Sequence, residues 1–245
     1  MSDEAITVQA GPITLVSKIT DLFPANFDRH YACYYRKNAS SLLNQLCDKY
    51  GSDKGEIRTE GHPYPWPSHS YADFMERTFG HCRQHIRNVF ECGLGTNNPS
   101  LASSMGVDGK PGASLRVWRD YFPKAKIIGA DIDRDILFTE DRISTFYCDQ
   151  TDSAAIAQLW DNVQDVEFDL MIDDGLHTYA AGVSLLENSF HKLKKGGVYV
   201  IEDVSYIDLY HFLGYFLGKD YNFEFVTLYR KGLPLADNSL VVIRK

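Results

Sequence analysis

A chain of 245 residues, 44% of them hydrophobic, is long enough for one large domain with a sizeable core. Its formal net charge of −8 argues against the phosphate backbone of a nucleic acid as the main partner. Cys33, Cys47, Cys82, Cys92 and Cys148 match no zinc spacing and read as reduced thiols of a cytoplasmic protein; the acidic start Met-Ser-Asp-Glu lacks the basic region of a signal peptide, and no apolar run approaches the ~20 residues that cross a bilayer.

Residues 1–87 read as an amino-terminal cap, helical and aromatic, and residues 88–245 as the main domain. Within the cap, aromatic and polar residues cluster at Phe27–Tyr35 and His62–Trp66. Leu42, Leu43, Leu46 and Cys47 share one face of a helix over Ser40–Tyr50, and a second helix runs from Ser70 through Arg77. Between them, Pro63-Tyr64-Pro65-Trp66-Pro67 excludes regular structure.

A βαβ rhythm starts near Asn88. Strands are expected over Val89–Cys92, Lys126–Ala130, Ile143–Cys148, Phe168–Ile172, Val198–Ile201, Phe223–Leu228 and Ser239–Ile243. Helices are expected over Leu115–Tyr121, Ser153–Asn162, Ala180–Leu193 and Ile207–Leu217, with Lys195-Gly196-Gly197 stopping the third. The last two strands, joined by a turn at Gly232–Pro234, suit a hairpin. This pattern predicts an α/β, Rossmann-like, mostly parallel seven-stranded sheet with helices on both faces and an antiparallel final strand. The apolar helix over 207–217 offers a surface for self-association as a homo-oligomer.

In such sheets, ligands gather at the carboxyl ends of the strands. Glu91-Cys92-Gly93-Leu94-Gly95 ends the first strand of the main domain, and its glycines let the backbone turn sharply beside a ligand. Asp131 ends the next strand and suits ribose hydroxyls; Asp149 with Gln150 ends the third and suits an adenine edge, although Asp149 alone reads equally as a helix cap. A dinucleotide fingerprint wants a third glycine and an acid ~20 residues on. Here Asn98 holds the third position and Asp131 lies 38 positions after Gly93, past an insert at Thr96–Ala113. Both departures favour S-adenosylmethionine, which has no phosphate to cradle.

Two hydrophobic runs then end in acid pairs, Ile172-Asp173-Asp174 and Ile201-Glu202-Asp203, and His177 follows the first. Each pair alone would serve to cap the next helix. Two pairs on neighbouring strand ends repel one another unless a cation lies between them, and their hard oxygens suit Mg2+. His177, with an ordinary pKa near 6.5, is a candidate general base. His69, His62 and the aromatic residues Tyr64, Trp66, Tyr71, Tyr206 and Tyr210 are candidates for touching a small-molecule acceptor.

These motifs resemble the class I S-adenosylmethionine-dependent methyltransferases, and among them the metal-dependent O-methyltransferases of sugar hydroxyls on macrolides and related glycosides. The similarity covers most of Asn88–Asp203, with a weaker piece in Lys49–Gly55 and His69–Phe79 that in the family covers the cofactor. It implies that Asp174, Glu202 and Asp203 bind Mg2+ and that His177 accepts the proton. It also implies that Glu91, Gly93, Gly95, Ser114, Asp131, Asp149, Gln150 and Asp173 form the cofactor site. The large amino-terminal domain of the macrolide enzymes has no expected counterpart here. A phosphate or phosphoramidate oxygen, a catechol-type acceptor, a nicotinamide dehydrogenase and a non-catalytic nucleoside-binding protein remain as alternatives at this stage.

Overall fold

The computed structural model describes residues 29–35, 40–56, 63–64, 66–230 and 235–245. Its elements are β1 (His30–Tyr35), α1 (Leu42–Tyr50), α2 (Tyr71–Phe79), β2 (Asn88–Cys92), α3 (Ala113–Tyr121), β3 (Lys126–Asp131), β4 (Thr139–Glu140), β5 (Ile143–Tyr147), α4 (Ser153–Val163), β6 (Phe168–Asp173), α5 (Tyr179–Ser189), β7 (Leu193–Ile201), α6 (Tyr206–Phe216), β8 (Asn222–Arg230) and β9 (Ser239–Arg244). His62 and the turn expected at Gly232–Pro234 lie outside the described residues.

Successive strand residues point to opposite faces, and both faces here are apolar. Phe90, Met171, Tyr199 and Ile243 pack under α4, α5 and α6, whereas Val89, Ile172, Val200 and Val242 pack under α1, α2 and α3. The sheet is thus covered by helices on both sides, as its apolar strands require. Helix starts are fixed locally: Ser41, Asp152, Thr178 and Ser205 each accept a backbone N–H of the first turn of α1, α4, α5 and α6.

The sheet has nine strands among the described residues, in the order β1-β8-β9-β7-β6-β2-β3-β5-β4. This corrects the expected seven. The two additions are edge strands: β1 pairs in parallel with β8, and the two-residue β4 pairs antiparallel with β5. β1 lay inside an aromatic cluster with no flanking strand to reveal its pairing, so the amino-terminal region is not solely helical. β9 runs antiparallel to both neighbours, as expected, and forms the hairpin with β8.

A second correction concerns Lys195-Gly196-Gly197. The helix ends earlier, at Ser189, and a single tight turn over Phe190–Lys192 leads into β7. Pairing of β6 with β7 jumps from Phe168↔Leu193 to Leu170↔Val198, so the glycines belong to a bulge. Gly196 has φ +81° there, a left-handed conformation at little cost for glycine, and its N–H reaches the Lys245 carbonyl at 2.7 Å.

The winding reverses between β2 and β6: the chain builds outward from β2 through β3 and β5, then returns to add β6 and β7 on the other side. Register aligns Cys92 with Asp173 and Asp173 with Ile201. The residues that follow, Gly93, Asp174 and Glu202, therefore emerge side by side at the place where open α/β sheets bind ligands.

Candidate active site

On the β2–β3–β5 side, polar groups are arranged by backbone hydrogen bonds. Asp131 accepts the Leu94 N–H at 2.7 Å through one carboxylate oxygen and the Asp133 N–H at 2.8 Å through the other. Gly93 has φ +95°, and a Cβ placed on it would lie 1.9 Å from the Asp174 carbonyl oxygen, so only glycine fits. Gln150 bridges to the next strand end, giving a side-chain N–H to Asp173 at 3.0 Å and accepting the Leu176 N–H at 2.7 Å. Asp149 accepts the Thr151 N–H at 2.9 Å, the local capping role that its position also suggested. The insert folds back on this side: the Gly112 N–H reaches the Leu94 carbonyl at 2.7 Å and the Met105 N–H reaches the Thr96 carbonyl at 2.8 Å.

On the β6–β7 side the partners are side chains from distant segments. The Lys54 ammonium is buried against Asp174 Oδ2 at 2.6 Å, Glu91 Oε1 at 3.3 Å and Glu202 Oε2. Ser114 and Trp118 also hydrogen-bond Glu91. His177 Nε2 lies 3.3 Å from Asp174 Oδ1 and 3.4 Å from Asp203 Oδ2. The Tyr71 hydroxyl donates to Asp203 Oδ1 at 2.5 Å and accepts the Asp203 N–H at 3.1 Å, while His69 Nδ1 stands 3.4 Å from the same carboxylate. His177 and Asp203 both hold left-handed backbone, with φ +56° and +52°. Strain of that kind persists where surrounding contacts over-determine it, as the bonds to Tyr71 do at Asp203.

Charge is distributed unevenly over this cluster. Burial pushes the Glu202 carboxyl well up, with Lys54 only partly opposing, whereas at Asp174 Lys54 and His177 outweigh burial and hold the group below the usual carboxylate range. Burial alone would lower His177, but Asp203 and Asp174 overcome it and push the imidazole up to about 10. Asp173, buried behind them, is pushed up to about 6 by desolvation.

A cavity of about 420 Å3 joins the two sides. Gly93, Gly95, Ser114, Asp131, Asp149 and Gln150 line it together with Asp174, His177 and Asp203. Glu91, Asp173 and Glu202 do not; they stand behind its wall, and Glu202 Oε1 and Asp173 Oδ2 are buried without a hydrogen-bond partner among the described residues. Ligand atoms of Asp174, His177 and Asp203 lie within 4.8 Å of one another. Of the aromatic candidates, Tyr64, Trp66 and Tyr71 line the cavity, with Tyr64 stacked on Trp66 at 5.3 Å. Tyr206, the first residue of α6, is instead buried in the core, and Tyr210 is 49% exposed on that helix, so neither lines it.

No family model matches the sequence. The chain is 32% identical over 163 residues to the 8-demethyl-8-alpha-L-rhamnosyl tetracenomycin-C 2'-O-methyltransferase of Streptomyces olivaceus, covering 66% of this chain and 38% of that one. It is 31% identical over 137 residues to the mycinamicin VI 2''-O-methyltransferase of Micromonospora griseorubida, covering 56% and 32%. Among solved structures, the MycE methyltransferase of the mycinamycin pathway in complex with Mg and SAH aligns with a TM-score of 0.58 at 23% identity, over 86% of this chain and 55% of that one. The SAH-bound Podospora anserina methyltransferase PaMTH1 aligns with a TM-score of 0.51 at 9% identity, over 98% and 99%. This is the class I methyltransferase fold.

Within the methyltransferase fold, the chain's similarity in sequence is to sugar O-methyltransferases, and it spans less than half of the length of the curated relatives it matches. Among the described residues no helix is long and apolar enough to cross a membrane. Sequence reasoning missed Lys54, Tyr71 as a partner of Asp203, and Trp118 behind Glu91. A signal for Lys54 was present: five acids converging on one sheet edge need a cation, and Gly51-Ser52-Asp53-Lys54-Gly55 is a short polar segment carrying one.

Proposed function

We propose that this chain is an S-adenosylmethionine-dependent, Mg2+-dependent O-methyltransferase that acts on a hydroxyl of a small glycosyl, sugar or glycan-precursor acceptor. The observation that carries the reading is the trio Asp174, His177 and Asp203 facing the same cavity as Gly93, Asp131 and Gln150. Residues 88–245 would bind the cofactor, and residues 1–87 would cover it; the contribution of Lys54, Tyr64, Trp66 and Tyr71 to the site supports that division. Gly93, Gly95, Ser114, Asp131, Asp149 and Gln150 would contact the cofactor, with Glu91 and Asp173 supporting them from behind.

The donor set fits a hard divalent ion: Asp174 and Asp203 offer carboxylate oxygens to the cavity, and Glu202 has a buried oxygen without a partner. These three would hold Mg2+, which supplies charge that lowers the pKa of a neighbouring hydroxyl. Were Asp174 and Asp203 committed to a cation, they would no longer favour a proton on His177, which they now do. His177 Nε2, which faces the cavity, would accept the acceptor's hydroxyl proton. The oxygen would attack the sulfonium methyl in line, forming a C–O bond as the C–S bond breaks and S-adenosylhomocysteine leaves. Holding oxygen, carbon and sulfur in line supplies much of the acceleration.

Acidity at the cavity favours a neutral hydroxyl over a phosphate or phosphoramidate oxygen. Besides the acids that would hold the cation, Asp53, Asp131, Asp149 and Asp237 line it, outnumber its two lysines and would repel an anionic acceptor. Labelled S-adenosylmethionine offered with rhamnosides, free sugars and phosphorylated sugars, each with Mg2+ or EDTA, tests the reading. Transfer to a sugar hydroxyl that EDTA abolishes and Mg2+ restores is the expected result. EDTA-insensitive transfer would remove the metal, and transfer only to phosphorylated substrates would replace the acceptor class.

A further inference from the structure

The proton transfer above makes no use of Lys54, yet its side chain is only 4% exposed and meets three acids from three different strand ends. Glu91 belongs to β2, Asp174 follows β6 and Glu202 follows β7. The loop that delivers the lysine is fastened to the start of α2 on either side: the His69 N–H reaches the Asp53 carbonyl at 2.7 Å, and the Ala72 N–H reaches the Lys54 carbonyl at 2.8 Å. The ammonium is therefore held in place by backbone hydrogen bonds as well as by its carboxylates. Glu91 and Glu202 are both fully buried, so no solvent can neutralise them in its stead.

Asp174 shows how the cluster is divided. Its Oδ2 faces Lys54, and its Oδ1 faces His177 and the cavity. A cation bound from the cavity side would share this carboxylate with a fixed positive charge on its far side. Like charges so close repel, and that repulsion lowers the affinity for the entering ion. The same positive charge lets the acids remain packed together when no ion is bound.

We propose that Lys54 is the resident counter-ion of the acid cluster: it keeps Glu91, Asp174 and Glu202 together without a divalent cation, and it sets how weakly such a cation is held. This rests on the reading that Asp174 and Asp203 take a cation. Lys54 is thus a positioning residue, acting on the reaction through the acids it holds.

Lys54→Met preserves length and apolar stem and removes the charge, whereas Lys54→Arg keeps the charge. Mg2+ binding to the full chain, measured by calorimetry without cofactor, should tighten about tenfold or more in Lys54→Met and stay near the wild-type value in Lys54→Arg. In EDTA, Lys54→Met should melt about 5 °C or more below the wild type, and Mg2+ should restore most of that loss. If Lys54→Met fails to fold in EDTA, Lys54→Met combined with Glu202→Gln removes the excess negative charge and should fold; a double variant that stays unfolded would overturn the counter-ion role. Mg2+ affinity unchanged or weakened in Lys54→Met would reduce Lys54 to packing and leave the cation site standing. Absence of Mg2+ binding to the wild-type chain would overturn both readings together.

Discussion

On the β2–β3–β5 half of the sheet edge, the key acid is met by backbone: both oxygens of Asp131 accept N–H groups from residues in its own or the adjacent loop. On the β6–β7 half, Asp174, Glu202 and Asp203 are met by side chains of Lys54, His69, Tyr71 and His177, three of which come from more than a hundred residues earlier. The first half is built by local turns and needs only the strand register to form. The second has only His177 as a local source of positive charge and depends on a distant loop docking onto it. An edge of the first kind can stay constant while the other is altered by changing the segments that cover it.

The sharpest way to test this division is His177→Ala. Turnover should fall ~100- to 10,000-fold, while S-adenosylhomocysteine affinity measured by calorimetry stays within about twofold. A large loss of cofactor affinity would show that the two halves are not separable. Gly93→Ala should damage both, because its added carbon would meet the Asp174 carbonyl 1.9 Å away across the boundary. A destabilisation of ~3 kcal/mol or more in urea unfolding is expected, from the clash and the left-handed φ together. Asp131→Ala should be milder, ~1–3 kcal/mol from two N–H groups left without their acceptor, with weakened cofactor binding and an unchanged Mg2+ affinity.

The smallest effect expected is a pH dependence. Asp173 is pushed up to about 6 from an ordinary value of 3.8, so the folded state binds its proton more tightly than the unfolded chain does. Its favourable contribution is fully present below the ordinary value and is lost as pH rises through about 6. Asp173→Asn should therefore match the wild type in stability near pH 4 and exceed it by on the order of 1 kcal/mol at about pH 7. Parallel unfolding curves for the two proteins across that interval would rule out Asp173 as the titrating group.

Particular residues show why some features were legible before the fold was known. Strand ends at Cys92, Asp131, Ile172 and Ile201 were visible because buried parallel strands are largely apolar runs, and glycines after Cys92, the acid Asp131 itself and acid pairs after Ile172 and Ile201 mark the exits. Gly93 was visible because a glycine at such an exit signals a close approach of backbone. By contrast, β1 and β4 are edge strands whose existence depends on a neighbour, and no local pattern in two residues such as Thr139-Glu140 reveals pairing. Gly196 suits a helix stop and a bulge alike, because a left-handed glycine serves both, and only the β6–β7 register tells them apart. Tyr206 and Tyr210 carry the same chemistry as Tyr64 and Tyr71, but which face of a helix meets a cavity is set by packing.

By itself the amino-acid sequence determined the alternating α/β plan, the parallel sheet with its reversed last strand, and the list of polar residues delivered to one edge, because those follow from periodicity and from covalent neighbours. Tertiary structure alone decided that Asp174 and Asp203 face the cavity with His177 while Glu91 and Glu202 turn to a buried lysine. Electrostatic partnership acts through space, and the cation that sorts these acids sits on a loop that only the folded chain brings to them.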